Sequence, residues 1–558
     1  MPYAPMEDHV GAVTQCKRIN DVEDWSWECS GHRLTTVLKT NVDLVDSHKM
    51  STYQQILTTT IIPGTEQQTY WNRCACNELD GLDRRHYPVP LPELFEPAND
   101  LQLRYVENWR RYIDGLLDTQ PYKPVSHGEM MATCRPSIKK RYQKAFEDII
   151  RERTIFDKST SYVKAFIKFE KVPIGKVETG KAPRCIQYRD FKYMYAFKRA
   201  FLPITKAIKN CSVKNLFGQP VNTIFTKNLL GSQIAESMRS LWDSFSFCVG
   251  VCLDHRNWDG HYDRPLMAVS RNAWLTYEAG GANKEKRRTL LSRCLDEQFC
   301  TRGNTSNGVR YTARGKRCSG EYTTSDENGS ANKHILESVF SYLIDLLISE
   351  GKIDADREWK VYFSINGDDS VSYMEFDLWK AISAIPNWMQ LFRNLNQETE
   401  MEIAALNFEQ ISYCQSSPVY VGDRWLMVKS PMRALSRIAY TDKKLDEKTV
   451  LRYYRSLGLC ELAISAGVPL LQHLSLRLLE LAQGARPIGG VDKTLAKSMN
   501  QGRIAYAEIL MSTRFSFQAA FGISPREQIL IEKIISGRNY NSRQARLLIG
   551  KYETYHLH

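Results

Sequence analysis

Apolar and polar residues alternate most clearly at two places in the chain, with helical spacing between and after them. Residues 161–189 alternate in SYVKAFIKFEKV and again in APRCIQYR, which predicts two strands joined by the loop PIGKVETGK. Residues 361–374, VYFSINGDDSVSYM, climb to Asn366-Gly367 and leave again, which predicts a hairpin. The apolar run SFCVGVCLD at 246–254 predicts a short strand buried on both faces. Helical patterning dominates 100–155 and 190–245. In 325–351, Ile335, Val339, Tyr342, Leu343 and Leu346 share one stripe, so a long helix is expected there. Residues 408–428 read as another hairpin, turning at Gly422-Asp423. After residue 430 the pattern is helical, with Leu470, Leu471, Leu474, Leu478 and Leu481 forming a core-facing stripe. Residues 1–85 are only weakly periodic, YPVPLPELFEP at 87–97 reads as an extended connector, and 265–312 is a variable stretch.

A chain of 558 residues is too long for one ordinary core and divides into subdomains. No apolar run approaches the roughly 18 residues of a spanning helix. The start, MPYAPMEDHVGAV, lacks the charged head and apolar stretch of a signal peptide, so membrane anchoring or export by the chain itself is not expected. The 14 cysteines have no regular spacing and several sit in apolar runs, the usage of reduced thiols in a cytosolic protein. Cys74 and Cys76 form one tight pair without a second, leaving His32 and His86 as the available co-ligands for a metal. Charge changes the picture more. Of a net +12, residues 138–214 carry the whole excess, with 20 Lys or Arg against 7 Asp or Glu. Such concentration points to a polyanion partner.

Asp368 and Asp369 stand side by side at the predicted hairpin tip, where they repel each other. A hard divalent cation makes that placement useful, since Mg2+ takes one or two carboxylates and leaves room for phosphates. Asp254 ends the buried strand and Asp259 follows five residues later. Together these carboxylates supply what two-metal phosphoryl transfer requires. Between them, Ser319-Gly320 begins a flexible loop into the long helix, where Thr324 and Asn328 share a face. Ser325 or Asp326 is expected to cap that helix.

In this order, a strand bearing Asp-x4-Asp, then SG-x3-T-x3-N, then GDD resembles the palm motifs of the RNA-dependent RNA polymerases of plus-strand RNA viruses, most like the tombusvirus-like branch. Ser319, Gly320, Thr324 and Asn328 meet the middle motif letter for letter. VKAFIKFEK and KAPRCIQYR resemble the finger motif lining the nucleotide entry channel, and FEQISYCQSSPVY resembles the hairpin that supports the priming strand. The likeness covers about 163 to 430. It implies that Asp254 and Asp368, with Asp369 adjacent, hold Mg2+, for which Mn2+ could substitute. Asp259, Asn328 and Thr324 would read the ribose of the incoming nucleotide. Lys168, Lys181 and Arg184 would grip its triphosphate, Ser319 and Gly320 would contact the template side, and Gly367 would form the turn. In two places the chain departs from the pattern. Glu402 stands where the family often has a lysine, so no proton donor to pyrophosphate is assigned. His255, Arg256 and Asn257 make an unusually basic filling between the two motif aspartates.

The implied fold is α+β: a right hand with fingers, a palm built on an antiparallel sheet flanked by helices, and a helical thumb. Residues 1–100 would be N-terminal region, connector and fingers support, and 101–245 fingers with the basic entry motif. Residues 246–430 would be palm, with a fingers insertion near 265–312, and 431–558 thumb. The expected partners are RNA template and product, NTPs, and a viral or host membrane-associated replication protein that brings the chain to replication complexes in the host cytoplasm. A reverse transcriptase is the nearest rival. Gly367, where that group usually carries an aromatic residue, and the Asp259–Asn328 pair argue against it. A non-catalytic viral RNA-binding protein with a decayed palm is opposed by the intact Asp254, Asp368, Asp369 and Asn328.

Overall fold

The computed structural model describes residues 37–40, 50–52, 54–55, 66–87, 98–156, 162–211, 222–280, 289–441, 445–488, 504–537 and 539–549. Two five-stranded sheets dominate. Their strands in chain order are β1 (Val37–Thr40), β2 (Tyr162–Ile167), β3 (Cys185–Arg189), β4 (Thr223–Phe225) and β5 (Cys248–Arg256), then β6 (Cys300–Thr305), β7 (Val309–Arg314), β8 (Tyr362–Asn366), β9 (Asp369–Glu375) and β10 (Glu398–Ala405). The first sheet has the order β1-β7-β6-β2-β3 and the second β10-β5-β9-β8-β4. A separate hairpin, β11 (Ser416–Val421) and β12 (Arg424–Lys429), follows and turns at Gly422-Asp423 as expected. The main helices are α1 (Ala98–Thr119), α2 (Phe191–Cys211), α3 (Arg264–Ala279), α4 (Thr324–Ser349), α5 (Glu447–Ser465), α6 (Leu471–Leu481) and α7 (Met511–Phe521). The chain is therefore mixed α+β.

The second sheet is antiparallel through β10, β5, β9 and β8, but its edge strand β4 lies parallel to β8. That corrects the expectation of a wholly antiparallel sheet. Three residues, Thr-Ile-Phe, are too few to show a period, so β4 was hidden inside a stretch read as helical. β5 is apolar on both faces because both are covered. Val249, Val251 and Leu253 pack into the large core made by α1 to α4, whereas Cys248 and Cys252 pack against Met238, Phe408, Ile411 and Tyr413. Gly250 allows that second layer to approach: a Cβ there would lie 3.3 Å from both Ile411 and Trp242.

The described parts of 265–312 form regular elements that the sequence pattern does not reveal. α3 is buried almost throughout, and β6 and β7 complete the first sheet. β6 runs parallel to β2, pairing Arg302 with Tyr162. The joining loop between β2 and β3 contains a short strand, Val172–Pro173, and a short helix, Ile174–Glu178.

At the start of α4 the N-cap is Thr323, with no side-chain cap. Asp326 is instead buried, bonded to Lys227 Nζ at 2.6 Å and to Thr205 Oγ1 at 2.8 Å. The charge that sequence alone assigns to a cap is spent on a long-range ion pair. The described residues after 430 are mostly helical, apart from a short strand at Tyr440–Thr441 and an irregular stretch at 504–510, and Leu471, Leu474 and Leu478 are buried as expected. Leu470 precedes the helix with a positive φ, and Leu481 is 39% exposed, so the stripe ends one turn early. The β11–β12 hairpin is bonded to both neighbouring layers, through Trp425 N to Glu236 Oε1 at 2.9 Å and Tyr420 N to Ser516 Oγ at 2.8 Å. Among the described residues no helix is long and apolar enough to cross a membrane.

Candidate active site

The carboxylates come together because β5 and β9 are neighbours in the second sheet. Asn366 pairs with Asp369, which closes the hairpin on Gly367 and Asp368. Gly367 has φ +72°, a conformation glycine adopts without strain. Asp254 lies at the end of β5, and Asp259 on the short helix Trp258–His261 beyond it. Burial and the nearby Asp368, Glu402 and Glu400 push Asp254 up to about 6. Burial and Asp368 push Asp259 up to about 6, against the pull of Arg317, Arg85 and Arg184. Burial, with Asp368 and Asp254, pushes Asp369 up to about 7, and burial raises Asp368 as well. Burial is the first cause in each case, and mutual repulsion adds to it at Asp254, Asp259 and Asp369.

Facing it is a cluster of cations on the first sheet. β2 and β3 pair antiparallel, and beyond their ends the Lys168 amide donates to the Arg184 carbonyl at 2.7 Å. Glu170 organises the group, 3.0 Å from Lys168 Nζ and 3.7 Å from Arg184 Nε. Lys181 is lowered to about 8 by burial and by repulsion from Arg184 and Lys176. Burial and Arg184 also lower Arg85, which Asp259, Glu170 and Asp368 oppose.

Between the two clusters, the start of α4 contributes polar side chains. Asn328 is 6% exposed, and its Oδ1 has no hydrogen-bond partner among the described residues. The Thr324 hydroxyl donates toward the carbonyls of Cys318 and Glu321, both at 3.0 Å, so toward a ligand it can only accept. The Ser319 hydroxyl donates to the Cys185 carbonyl at 2.9 Å. Gly320 packs on the first sheet: a Cβ would lie 2.3 Å from the Gln187 carbonyl oxygen. Two fully buried ion pairs brace this loop, Arg189–Glu321 at 2.5 Å and Arg317–Glu327 at 3.0 Å.

One cavity of about 770 Å3 joins these groups. Lys168, Lys181, Arg184, Asp254, Asp259, Ser319, Thr324, Asn328 and Asp368 all line it. Asp369, Gly320 and Gly367 do not. Asp369 faces Cys414, whose Sγ is 3.7 Å from its carboxylate; Gly320 is turned to the sheet, and Gly367 shapes the turn. The cavity wall also includes Arg85, Lys176, Arg256 and Asn257, which sequence reasoning had not placed there. Lys176 lay within the basic stretch and Arg256 within the motif filling, so both carried a signal. Arg85 lay in a weakly periodic region and carried none.

Among the described residues, no three of His, Cys, Asp and Glu converge as a ready metal cage. Mg2+ does not need one, since it keeps waters and shares one or two carboxylates with substrate phosphate. Buried aspartates that repel one another fit that cation. Among the described residues, no group of three or more metal-ligating side chains forms around Cys74 and Cys76. His86 is buried against Gln187 and burial holds it neutral, down to about 3, while His32 lies outside the described residues.

A basic cleft facing carboxylates on a hairpin tip, beside a polar helix start, defines a site for a phosphate-rich substrate and a hard cation. Residues 44–542 match the profile of the family described as viral RNA dependent RNA polymerase, and the chain belongs to that family. Among its relatives are proteins named RNA-directed RNA polymerase from Oat chlorotic stunt virus, 27% identical over 74% of this chain and 53% of that protein. Those from Turnip crinkle virus, 26% identical over 80% and 53%, and Carnation mottle virus, 26% identical over 70% and 50%, are similar in kind. The chain spans about half the length of these curated relatives.

Proposed function

We propose that the chain is an RNA-directed RNA polymerase that copies an RNA template to replicate a plus-strand RNA virus genome. The observation carrying this reading is the single cavity in which Lys168, Lys181 and Arg184 face Asp254, Asp259 and Asp368 across Asn328. In this reading the first sheet with its flanking helices is the fingers, the second sheet the palm, and the helices after residue 430 the thumb. The limits 101–245, 246–430 and 431–558 apply, with 265–312 contributing β6 and β7 to the fingers.

Asp254 and Asp368 would hold Mg2+, or Mn2+ in its place, with Asp369 adjacent. Bound there, such cations lower the pKa of an attacking hydroxyl and stabilise the pyrophosphate leaving group. The residues do the rest. Lys168, Lys181 and Arg184 neutralise the triphosphate, Arg184 with a fork that suits phosphate oxygens. Asp259 and Asn328 hold the ribose. The RNA 3′-hydroxyl gives up its proton to solvent and its oxygen bonds to the α-phosphorus, while the bond from that phosphorus to the α–β bridging oxygen breaks and pyrophosphate leaves with the electron pair. Ser319 and Gly320 keep the template-side loop against the sheet.

Purified protein with a homopolymer RNA template, Mg2+ and a labelled NTP tests the reading. Template-dependent incorporation is expected, and incorporation only of dNTPs, or of nothing, would overturn it. Recruitment to host cytoplasmic membranes by a membrane-associated replication protein goes with the same reading. Strong flotation of the isolated chain with protein-free vesicles would argue against it.

Sugar selection gives a sharper test. A 2′-hydroxyl both donates and accepts, and so can satisfy the unpartnered Asn328 Oδ1 together with Asp259. Leaving such groups unsatisfied costs about 1–3 kcal/mol, roughly 5- to 150-fold in rate. Asn328→Ala is therefore expected to lower kcat/KM for NTPs much more than for dNTPs and to narrow the selectivity ratio by that factor. A parallel fall in both, with the ratio unchanged, would mean that Asn328 only stabilises the helix.

A further inference from the structure

Successive residues of a strand point to opposite faces, so His255 faces away from its neighbour Asp254 and toward α4. Its ring is buried against Trp258 and Phe392, with centroids at 5.1 and 5.8 Å. Nε2 lies 3.0 Å from Asn332 Oδ1, and Nδ1 lies 2.8 Å from Thr399 Oγ1. Asn332 is fully buried on α4, and its amide nitrogen donates to two main-chain carbonyls, Gly367 at 3.0 Å and Asp368 at 3.1 Å.

These contacts have one consistent direction. Carbonyls only accept, so the Asn332 nitrogen faces the turn and its oxygen faces His255. That oxygen accepts, so Nε2 carries the hydrogen and Nδ1 accepts from the Thr399 hydroxyl. A continuous line of hydrogen bonds thus runs from β10 through β5 and α4 to the turn that presents Asp368. On the Cβ side of Gly367 the turn is open, since a Cβ there would meet nothing within 4 Å among the described residues. The carboxylates around it repel one another, which tends to spread them.

We propose that His255 and Asn332 are positioning residues that clamp the Gly367–Asp368 turn and so fix the separation of Asp254 and Asp368 across which a divalent cation is shared. Asn332 does not line the cavity and acts only through the turn. The proposal rests on the polymerase reading for its rate readout alone.

Three variants of the full chain test it: Asn332→Ala, His255→Phe, which keeps an aromatic ring, and Thr399→Val, which keeps the shape of a half-buried side chain. Outer-shell partners of this kind typically change metal affinity or activity by about 10- to 100-fold. Asn332→Ala is expected to lower kcat by that much and to weaken Mn2+ binding, followed by the electron paramagnetic resonance of free Mn2+. KM for NTP and RNA affinity are expected to stay within about twofold, the split that marks a loss outside ground-state binding. Because the residues act in series, His255→Phe with Asn332→Ala is expected to be no slower than Asn332→Ala alone. If Asn332→Ala does not fold, Thr399→Val carries the test, with a smaller fall in the same two readouts. Mn2+ affinity and kcat both unchanged in the folded variants, or losses that multiply in the double variant, would overturn the proposal. Failure of the parent protein to make RNA would sink the polymerase reading only, because Mn2+ binding still reports on the turn.

Discussion

Replacing Asp254 or Asp368 with alanine is expected to abolish RNA synthesis, by at least ~10^3-fold or about 4 kcal/mol, while RNA binding persists. The size follows from what each carboxylate does. Asp254 is near the end of β5 and Asp368 sits on the turn that leads into the neighbouring β9, close enough that Asp368 raises Asp254. In the polymerase reading, removing either one would take away a carboxylate that holds the cation and, with it, the counter-charge to the triphosphate. RNA affinity depends on other groups, since phosphate contacts come from Lys and Arg. Single-nucleotide incorporation and filter binding, run at one salt concentration, separate the two. Residual synthesis within tenfold of the parent would remove these aspartates from the catalytic role.

The second large effect is on stability. Arg189 and Glu321 are both fully buried, 2.5 Å apart, and Arg189 also donates to the Glu297 carbonyl at 2.7 Å. Gln298 donates to the other Glu321 oxygen at 2.6 Å. Arg189→Met removes the only formal counter-charge within that set and leaves a carboxylate in a dry interior, which costs about 3–5 kcal/mol. A fall in unfolding free energy of that size, read from urea unfolding curves, is expected. Replacing both residues by apolar ones of similar volume is expected to recover most of it, because the lone charge is then gone. A single variant within about 1 kcal/mol of the parent, or a double no better than the single, would show that the pair is not what braces the loop. Glu321 follows Ser319-Gly320 directly, so the same variant is also expected to disturb the cavity wall.

Much of this site was legible because its elements carry strong local patterns. The apolar run of β5 fixes where Asp254 emerges, the alternation of β8 and β9 isolates Gly367-Asp368 as a turn, and helical spacing puts Asn328 one turn past Thr324. The alternating basic strands β2 and β3 locate Lys168 and Arg184. What was not legible depends on contacts between distant residues. β6 and β7 looked like variable sequence because they are ordered by pairing with β2 and β1. Asp326 looked like a cap because nothing local reveals Lys227 as its partner. Arg85 reaches the cavity only because its short helical stretch packs beside the loop before β3, where its guanidinium meets the Ala182 carbonyl at 3.5 Å. His255 could be noticed as an odd residue in its motif, but its partners Asn332 and Thr399 could not.

The parallel pairing of β6 with β2 has a consequence for how the molecule comes into being. A chain emerging from the ribosome makes β2 and β3 early, yet β2 stays an edge until residues 300–305 arrive to cover it. The carboxylate turn comes later still, and β10, which flanks β5 on its outer side, after that. Contacts of such long sequence separation form slowly and only once their partners exist. The nascent protein therefore passes through a long interval in which its cationic half is already made and its acidic half is not. During that interval the cleft has only one of its walls, and the sheet that carries the other is complete only once residues 398–405 have been made.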